Sequence, residues 1–174
     1  MMRKQQRTTE PTGYRSALFD WIIAFSCAVM ACVIFLNTLF CVVSVDGSSM
    51  YPTYSSGDKV LVYKGCKDYS YGDIVVILVD DPVIGSATVI KRVVGRGGDM
   101  IRLTEDGRVL VNGIQESLPF DPARVDTLNA EDNAVSVPEG CIYVLGDNRT
   151  ESYDSRYMGC IEVSRVIGKV ISLR

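Results

Sequence analysis

The residues best suited to chemistry lie in one short stretch, Gly47 to Thr53, which reads Gly-Ser-Ser-Met-Tyr-Pro-Thr. Two adjacent hydroxyls, Ser48 and Ser49, precede a proline that fixes the backbone just beyond them, which suits a serine held in a constrained loop. The chain contains no histidine, and this excludes a Ser-His-Asp triad and a histidine-ligated zinc site. A nucleophilic serine would need another base, and a lysine is the plausible remaining choice. Taken alone, the stretch is equally typical of a Ser/Pro turn after a membrane helix.

Lys91 is the candidate base. It follows the apolar run at 87–90, so we expect its ammonium group to be partly desolvated. Burial without an acidic partner lowers a lysine pKa by several units from about 10.4, and a base poised near neutrality needs a dry pocket. By pattern alone, the more usual explanation is a strand-end lysine that reaches solvent. Arg92 alternates to the opposite face and can pair with a carboxylate.

A third cluster at 146–159 is dense in groups that bond their own backbone or pair as ions. It reads Gly-Asp-Asn-Arg-Thr-Glu-Ser-Tyr-Asp-Ser-Arg-Tyr-Met-Gly. Such a cluster predicts a loop stiffened by ion pairs that approaches the site. The three glycines at 95–98 lack the spacing and the following helix of a phosphate-binding loop, so we exclude that function.

Composition narrows the function classes further. A formal net charge of −3 over 174 residues gives no reason to expect nucleic-acid binding. No CxxC or similar spacing supports a metal or redox site, so we predict no metal and no cofactor. Three cysteines lie in the apolar run and act as small hydrophobes. The other three cannot all pair with one another, and they allow one disulfide or three free thiols: Cys66, Cys141 and Cys160.

The apolar run predicts the domain organisation. About 20 apolar residues span a hydrocarbon core of about 30 Å, whereas the apolar region of a cleavable signal peptide has about 7–15 residues. We therefore predict a tail at 1–17, an uncleaved membrane anchor at 18–45 and a folded domain at 46–174. Basic residues are denser before the run than after it, which predicts a cytoplasmic N-terminus and an extracytoplasmic domain.

After the anchor, the sequence predicts a mainly β fold. Six runs are rich in β-branched residues and bounded by Gly, Asp or Pro, and no stretch keeps a helical period. The Asn-Gly pair at 112–113 is a hairpin signal. We expect a β core at 46–103 and 141–174 with a loop-rich insertion at about 104–140. The predicted strands are 59–63, 73–79, 87–94, 108–113, 141–145 and 166–171.

The ordered set of motifs resembles the bacterial type I signal peptidases. Each motif alone is a weak signal, but their order, spacing and anchor together are specific. The resemblance covers the chain apart from the tail and the insertion. The motifs are Ser-Met-x-Pro-Thr at 49–53, Gly-Asp-x-Val at 57–60, Lys-Arg-Val-Val-Gly with Gly-Gly-Asp at 91–99, and Gly-Asp-Asn-Arg…Ser-x-Asp-Ser-Arg-Tyr-x-Gly at 146–159.

The resemblance implies a membrane-bound serine endopeptidase that removes signal peptides from exported preproteins, on a largely antiparallel β domain whose exposed apolar surface dips into the lipid bilayer. It implies that Ser49 is the nucleophile, that Lys91 is the general base, and that Ser152 hydrogen-bonds and orients the lysine. The family's ion-pairing positions fall on four residues that we expect to give structural support: Arg92, Asp147, Asp154 and Arg156.

The resemblance also implies how the substrate is held. The Ser49 backbone N–H would meet the oxyanion; some members add a serine donor two residues earlier, where this chain has Gly47. A second donor therefore has to be backbone or water. The family binds the signal peptide as an extended strand, with small residues at −1 and −3, beside segments that fall here at about 43–48 and 87–90. The expected substrate-binding residues are Gly47, Ser48, Met50, Thr88, Val89 and Ile90.

Two alternatives stay open. One is a signal peptidase dedicated to pilins or to a single secreted client, and the other is a catalytically inactive, anchored β domain that only binds peptides. Self-cleaving SOS-response repressors share a related β core, but the anchor argues against them. Endoplasmic-reticulum-type signal peptidases use a histidine base, which this chain lacks. We expect a monomer.

Overall fold

The computed structural model describes residues 13–104, 108–118 and 134–171. The chain divides into two units, one ending at Thr38 and one beginning at Leu39. Most of the predicted tail lies outside the described residues, as do positions 105–107 and 119–133 of the predicted insertion.

The helix α1, Gly13–Leu39, covers the described part of the first unit and ends at the first residue of the second. Its stretch Ala17–Leu39, 23 residues long, has the length and apolar composition needed to cross a membrane, since it extends about 34 Å. The helix ends six residues before the predicted end of the anchor. Residues Phe40–Ser44 instead form the strand β1, because a short β-branched apolar run can continue either element and pairing with another strand decides.

The second unit is built mainly from strands, as predicted. The described residues form eleven strands. The elements are β1 Phe40–Ser44, β2 Lys59–Tyr63, β3 Ile74–Asp81, β4 Gly85–Arg96, β5 Met100–Leu103, β6 Val109–Val111, β7 Ile114–Gln115, β8 Ala134–Ser136, β9 Cys141–Leu145, α2 Ser155–Met158, β10 Ile161–Glu162, the 3₁₀ turn Val163–Arg165 and β11 Val166–Ile171. The short helix lies between β9 and β10, and the 3₁₀ turn lies between β10 and β11.

Seven of the strands form one antiparallel sheet in the order β1-β2-β11-β3-β4-β9-β10. The mainly β, largely antiparallel fold is therefore confirmed. The strands β2, β9 and β11 have the predicted bounds, since each is a β-branched run with a clear turn signal beside it.

The other four strands form a second sheet in the order β7-β6-β5-β8. The predicted hairpin is present, with Asn112 at φ 51° and Gly113 at φ 82° between β6 and β7. These positive φ angles are those of a tight two-residue turn. The predicted strand at 108–113 contains β6, but β5, β7 and β8 were not predicted. Here β5, from the predicted core, pairs with both β6 and β8.

The strand β4 positions the centre of the molecule. It is 12 residues long and pairs with β3 along its whole first part, from Gly85 to Arg92. Pairing with β9 starts only at Arg92, opposite Leu145. Two features follow: the loop after β9 begins beside Lys91, and within the described residues β4 has no neighbour opposite β3 before Arg92.

A buried apolar cluster holds the turn that carries Ser49. Met50 is 1 % exposed and packs with Val45, Tyr54, Ile90 and residues of β2, β3 and β11. Burying a methionine side chain stabilises a fold by about 1.5–3 kcal/mol. The residue next to Ser49 therefore anchors the turn against the main sheet.

Candidate active site

The structure brings together Ser49, in the turn after β1, and Lys91, on β4, which are 42 positions apart in sequence. Lys91 Nζ donates a hydrogen bond of 2.8 Å to Ser49 Oγ. Lys91 is 3 % exposed, and Ser49 is half-buried. A hydroxyl in contact with a buried amine is the arrangement that a serine nucleophile with a lysine base requires.

Burial controls the protonation of Lys91. Its pKa is lowered from 10.5 to about 8, chiefly by desolvation, and the positive charge of Arg156 acts in the same direction. The negative charges of Asp154 and Asp147 act in the opposite direction. With a pKa near 8, about one lysine in ten is neutral at pH 7 and able to accept a proton.

Ser152 is buried beside this pair but does not make the predicted bond to Lys91. Its Oγ is fully enclosed and has no hydrogen-bond partner among the described residues. The Ser152 side chain lies against Gly146, on the same side as the Ser49 carbonyl, and a Cβ at Gly146 would collide with both. The Lys91 ammonium is directed at Ser49 instead, so the role of Ser152 as the orienting residue stays a prediction.

The predicted ion pairs form around the two catalytic candidates. Arg92 donates to Asp147 through Nε at 2.7 Å and through Nη2 at 2.6 Å. Such two-pronged pairs fix geometry as well as charge. Arg92 Nη1 also donates to the Gly72 carbonyl at 2.8 Å, and Thr53 Oγ1 donates to Asp147. Asp147 thus links the turn of Ser49 to the strand of Lys91.

Asp154 organises the other half of the loop. It is 0 % exposed, accepts the Gly146 N–H at 3.0 Å and pairs with Arg156 through Nε at 2.7 Å and Nη2 at 2.8 Å. Its side chain also accepts the Arg156 backbone N–H and so caps α2. These contacts close the loop 146–154 on itself beside Lys91.

Comparison with known proteins identifies the family of this arrangement. A family model described as signal peptidase, peptidase S26, matches residues 18–173. The chain belongs to the signal peptidase family. A signal peptidase I of Bacillus licheniformis is 33 % identical over 168 residues, covering 90 % of this chain and 88 % of the relative. Signal peptidase I S of Bacillus subtilis is 31 % identical over 159 residues, covering 85 % and 83 %.

A solved structure is also similar to this chain. The crystal structure of a signal peptidase I from Enterococcus faecalis has 28 % sequence identity and a TM-score of 0.47, covering 60 % of this chain and 97 % of that one. The match to the family model makes the chain a hydrolase of the S26 peptidases, and α1 is consistent with a membrane-anchored member of the family.

The peptidase contains a buried ion pair that the sequence did not predict. Arg149 is 2 % exposed and forms a two-pronged pair with Glu116, while its Nε donates to the Gly146 carbonyl at 3.0 Å. Glu116 follows β7, so this pair ties the loop of the site to the second sheet. No spacing signal marks Glu116, which lies in a stretch that reads as loop.

A second unpredicted contact lies at the rim of the site. Ser48 Oγ donates to Glu151 Oε2 at 2.9 Å, and the Asn148 backbone N–H donates to the Ser49 carbonyl at 3.0 Å. Both join the turn of Ser49 to the loop 146–154. Glu151 lies inside the third motif, but nothing in its spacing points to a serine about a hundred positions earlier.

The expected substrate-binding residues divide into two groups. Ser48 and Thr88 are exposed, Val89 is half-buried, and Gly47 is exposed at φ +83° with open space around it. Met50 and Ile90 are 1 % and 8 % exposed and belong to the apolar cluster. Their side chains therefore pack beneath the site, and the expected role of Met50 and Ile90 in substrate binding stays a prediction.

The part of the chain that the structure describes contains neither a cluster of potential metal ligands nor a disulfide. No group of three or more His, Cys, Asp or Glu side chains there could hold a metal ion. All six cysteines are free thiols, so of the two arrangements left open for Cys66, Cys141 and Cys160 this structure has the unpaired one.

Proposed function

We propose that this peptidase removes N-terminal signal peptides from exported preproteins, with Ser49 as nucleophile and Lys91 as general base. The observation that carries the proposal is the 2.8 Å contact between Lys91 Nζ and Ser49 Oγ, made by a lysine that is 3 % exposed. A serine needs an adjacent base, and a lysine can be that base where desolvation lowers its pKa. The pair of Ser49 and Lys91 combines an adjacent base with a desolvated lysine.

Each step moves a proton between Ser49, Lys91 and the substrate. Neutral Lys91 Nζ accepts the hydroxyl proton as Ser49 Oγ bonds to the scissile carbonyl carbon. The tetrahedral intermediate then collapses: the Lys91 ammonium protonates the leaving amine, which becomes the N-terminus of the mature protein. Lys91, neutral again, takes a proton from water as the water oxygen attacks the ester. When the second tetrahedral intermediate collapses, the Lys91 ammonium returns that proton to Ser49 Oγ, and the signal peptide leaves with a new C-terminal carboxyl group, which ionises in water.

The Ser49 backbone N–H is the proposed donor to the oxyanion. Within residues 13–104, 108–118 and 134–171 no acceptor binds this N–H, which leaves it available to the substrate oxygen. Preorganised donors of this kind supply about 10²–10³ in rate in acyl transfer. A further donor would come from backbone or water, since Gly47 has no side chain to offer.

The peptide is proposed to bind as an added strand between the 43–48 segment and the first half of β4. The side of β4 opposite β3 has no described neighbour before Arg92, so backbone groups there can pair with an extended peptide. Met50 and Ile90 fill the space beneath. We therefore expect the substrate pockets here to be shallow and to favour small residues at −1 and −3.

We propose that α1 crosses the cytoplasmic membrane with the N-terminus inside, because basic residues are concentrated before the helix. The catalytic unit then lies outside, where exported preproteins emerge, with exposed apolar residues in contact with lipid. One chain supplies both Ser49 and Lys91, so we expect the enzyme to act as a monomer.

The function is tested by cleaving a preprotein with the detergent-solubilised full chain. Wild type should cut after an Ala-x-Ala site, as mapped by mass spectrometry, and a phenylalanine at −1 should abolish the cut. The Ser49→Ala variant should fall to background because it has no nucleophile, while Ser164→Ala, a serine on the 3₁₀ turn, should keep full activity. Cleavage that persists in Ser49→Ala, or that ignores the −1 residue, would contradict the proposal. A wild type inert on all preproteins would favour a dedicated client or an inactive peptide-binding domain.

A further inference from the structure

The contact between Ser48 and Glu151 has no part in the chemistry above, yet it touches the residue before the nucleophile. Ser48 Oγ donates to Glu151 Oε2 at 2.9 Å across 103 positions of sequence. Both residues are exposed, so the contact does little for the stability of the fold. Its location, rather than its strength, makes it informative.

Asn148 extends this contact to the backbone of the turn. Its Nδ2 donates to the Ser48 carbonyl and to Glu151 Oε2, both at 3.3 Å. Its Oδ1 accepts from Thr150 Oγ1 at 3.1 Å, and the Glu151 N–H donates to the Asn148 carbonyl at 3.2 Å. Both N–H bonds of the amide are therefore in use, and the Glu151 carboxylate holds Ser48 and Asn148 at the same time.

The Ser48 carbonyl belongs to the same peptide unit as the Ser49 N–H. A trans peptide is planar, and its N–H points opposite to its carbonyl. The Ser48 carbonyl accepts from Asn148 Nδ2 at 3.3 Å and from the Tyr51 N–H at 3.0 Å. Fixing this oxygen on the side of the loop 148–151 aims the Ser49 N–H away from that loop.

We propose that Glu151, acting through Ser48 and Asn148, is a positioning residue that fixes the direction of the oxyanion-binding N–H of Ser49. The inference rests on the proposed function, because it assumes that Ser49 is the nucleophile. In the described part of the chain, the Glu151 side chain forms hydrogen bonds with Ser48 and Asn148 and none with Ser49 or Lys91. It sets the orientation of one peptide unit, which matters when charge develops on the substrate oxygen.

The test separates positioning from binding by comparing kcat with KM. On a synthetic signal-peptide substrate, Glu151→Ala and Ser48→Ala should each lower kcat about 10-fold, less than the loss of a whole oxyanion donor, with KM within twofold of wild type. The double variant should be no worse than the singles, because both remove the same contact. Glu151→Gln keeps an acceptor for Ser48 and should retain at least about a third of the activity.

A peptide aldehyde of the same sequence supplies a second readout. Ser49 Oγ adds to the aldehyde carbon, the hydroxyl proton passes to Lys91, and the former carbonyl oxygen takes the oxyanion position. Its inhibition constant should rise by the same factor by which kcat falls. The matched control is a second exposed serine–carboxylate contact, Ser164 Oγ to Glu162 Oε2 at 3.0 Å, whose alanine variants should behave as wild type in every assay.

Several results would overturn the inference. These are an unchanged kcat in Glu151→Ala, a loss confined to KM, an aldehyde affinity that does not follow kcat, or a Gln variant as poor as Ala. Ser49→Ala is run alongside to separate the two claims. If Ser49→Ala is inactive and Glu151→Ala is fully active, only the positioning role fails; if Ser49→Ala stays active, the proposed nucleophile fails and the inference fails with it.

Discussion

Replacing Lys91 by methionine is expected to abolish cleavage and to stabilise the fold at neutral pH. Without the lysine, no described side chain that touches Ser49 can accept its proton. General-base catalysis contributes about 10²–10⁴ in rate, and nucleophile and base act as one unit. Preprotein cleavage should therefore fall about 10³-fold or more.

The gain in stability follows from the pKa of Lys91. Folding lowers this pKa from 10.5 to about 8. This shift corresponds to a destabilisation of the folded state by about 3 kcal/mol when Lys91 is protonated. Below pH 8 the lysine is charged in both states and this penalty is complete; as pH rises from about 8 to about 10.5 the wild type becomes more stable. Methionine fills a similar volume and carries no charge, so it removes the penalty at every pH.

Urea unfolding of the solubilised protein, followed by circular dichroism at pH 7 and pH 10, checks this expectation. The Lys91→Met variant should be more stable than wild type at pH 7, and the difference should shrink at pH 10. Lys169→Met is the control, since Lys169 is 38 % exposed and pairs with Asp73 at the surface; it should keep both activity and stability. A Lys91→Met variant that is less stable than wild type at pH 7 would show that burial of the charged lysine does not destabilise the fold.

The second large effect is expected for Gly146→Ala. A Cβ at this position would collide with the Ser152 side chain and would lie 2.6 Å from the Ser49 carbonyl oxygen. The carbonyl is backbone that the Asn148 N–H also holds, so it cannot move without shifting the nucleophile. Since small misplacements at a reacting centre cost about 10²-fold, kcat should fall by about that factor.

Gly95→Ala is the matched control for this variant. A Cβ at Gly95 would also meet packed side chains, at 2.6 Å from Ile101 Cδ1, but it lies outside the site. Both substitutions overpack a buried position and should cost about 1–3 kcal/mol of stability. Only in Gly146→Ala should the loss of kcat be greater than the unfolded fraction of the protein explains. Equal activities in the two variants would mean that the space around Gly146 does not constrain Ser49.

Local sequence patterns predict the inner strands of the main sheet well and the remaining strands less well. The strand Lys59–Tyr63 was predicted with its observed bounds, because alternation and flanking turn residues are local signals. The run Phe40–Ser44 was assigned to the anchor, since its composition suits lipid as well as a strand, and only its pairing with β2 distinguishes them. The strand β6 lies within the predicted run at 108–113, because the Asn-Gly pair marks its end, whereas β8 has three residues and is too short to show a period.

In the site, too, residues that belong to sequence motifs were predicted, whereas contacts between residues far apart in sequence were not. Ser49 and Lys91 were predicted because the missing histidine left few bases and because the ordered motifs resemble a family. The contacts Arg149–Glu116 and Ser48–Glu151 join residues 33 and 103 positions apart. Neither has a spacing pattern, since a loop that folds over a sheet brings them together. The bond from Ser152 to Lys91 was inferred from the family alone, and the Ser152 side chain lies against Gly146 instead.

The most direct test of the central claim, that a buried Lys91 is the base for Ser49, is the pH dependence of kcat/KM. The substrate should be a signal peptide without side chains that titrate between pH 6 and pH 10. Because the neutral lysine is the active form and its pKa is about 8, kcat/KM should rise about tenfold per pH unit below pH 8 and level off above it. A profile that is flat or falling between pH 6 and pH 8 would contradict the assignment of Lys91 as the base.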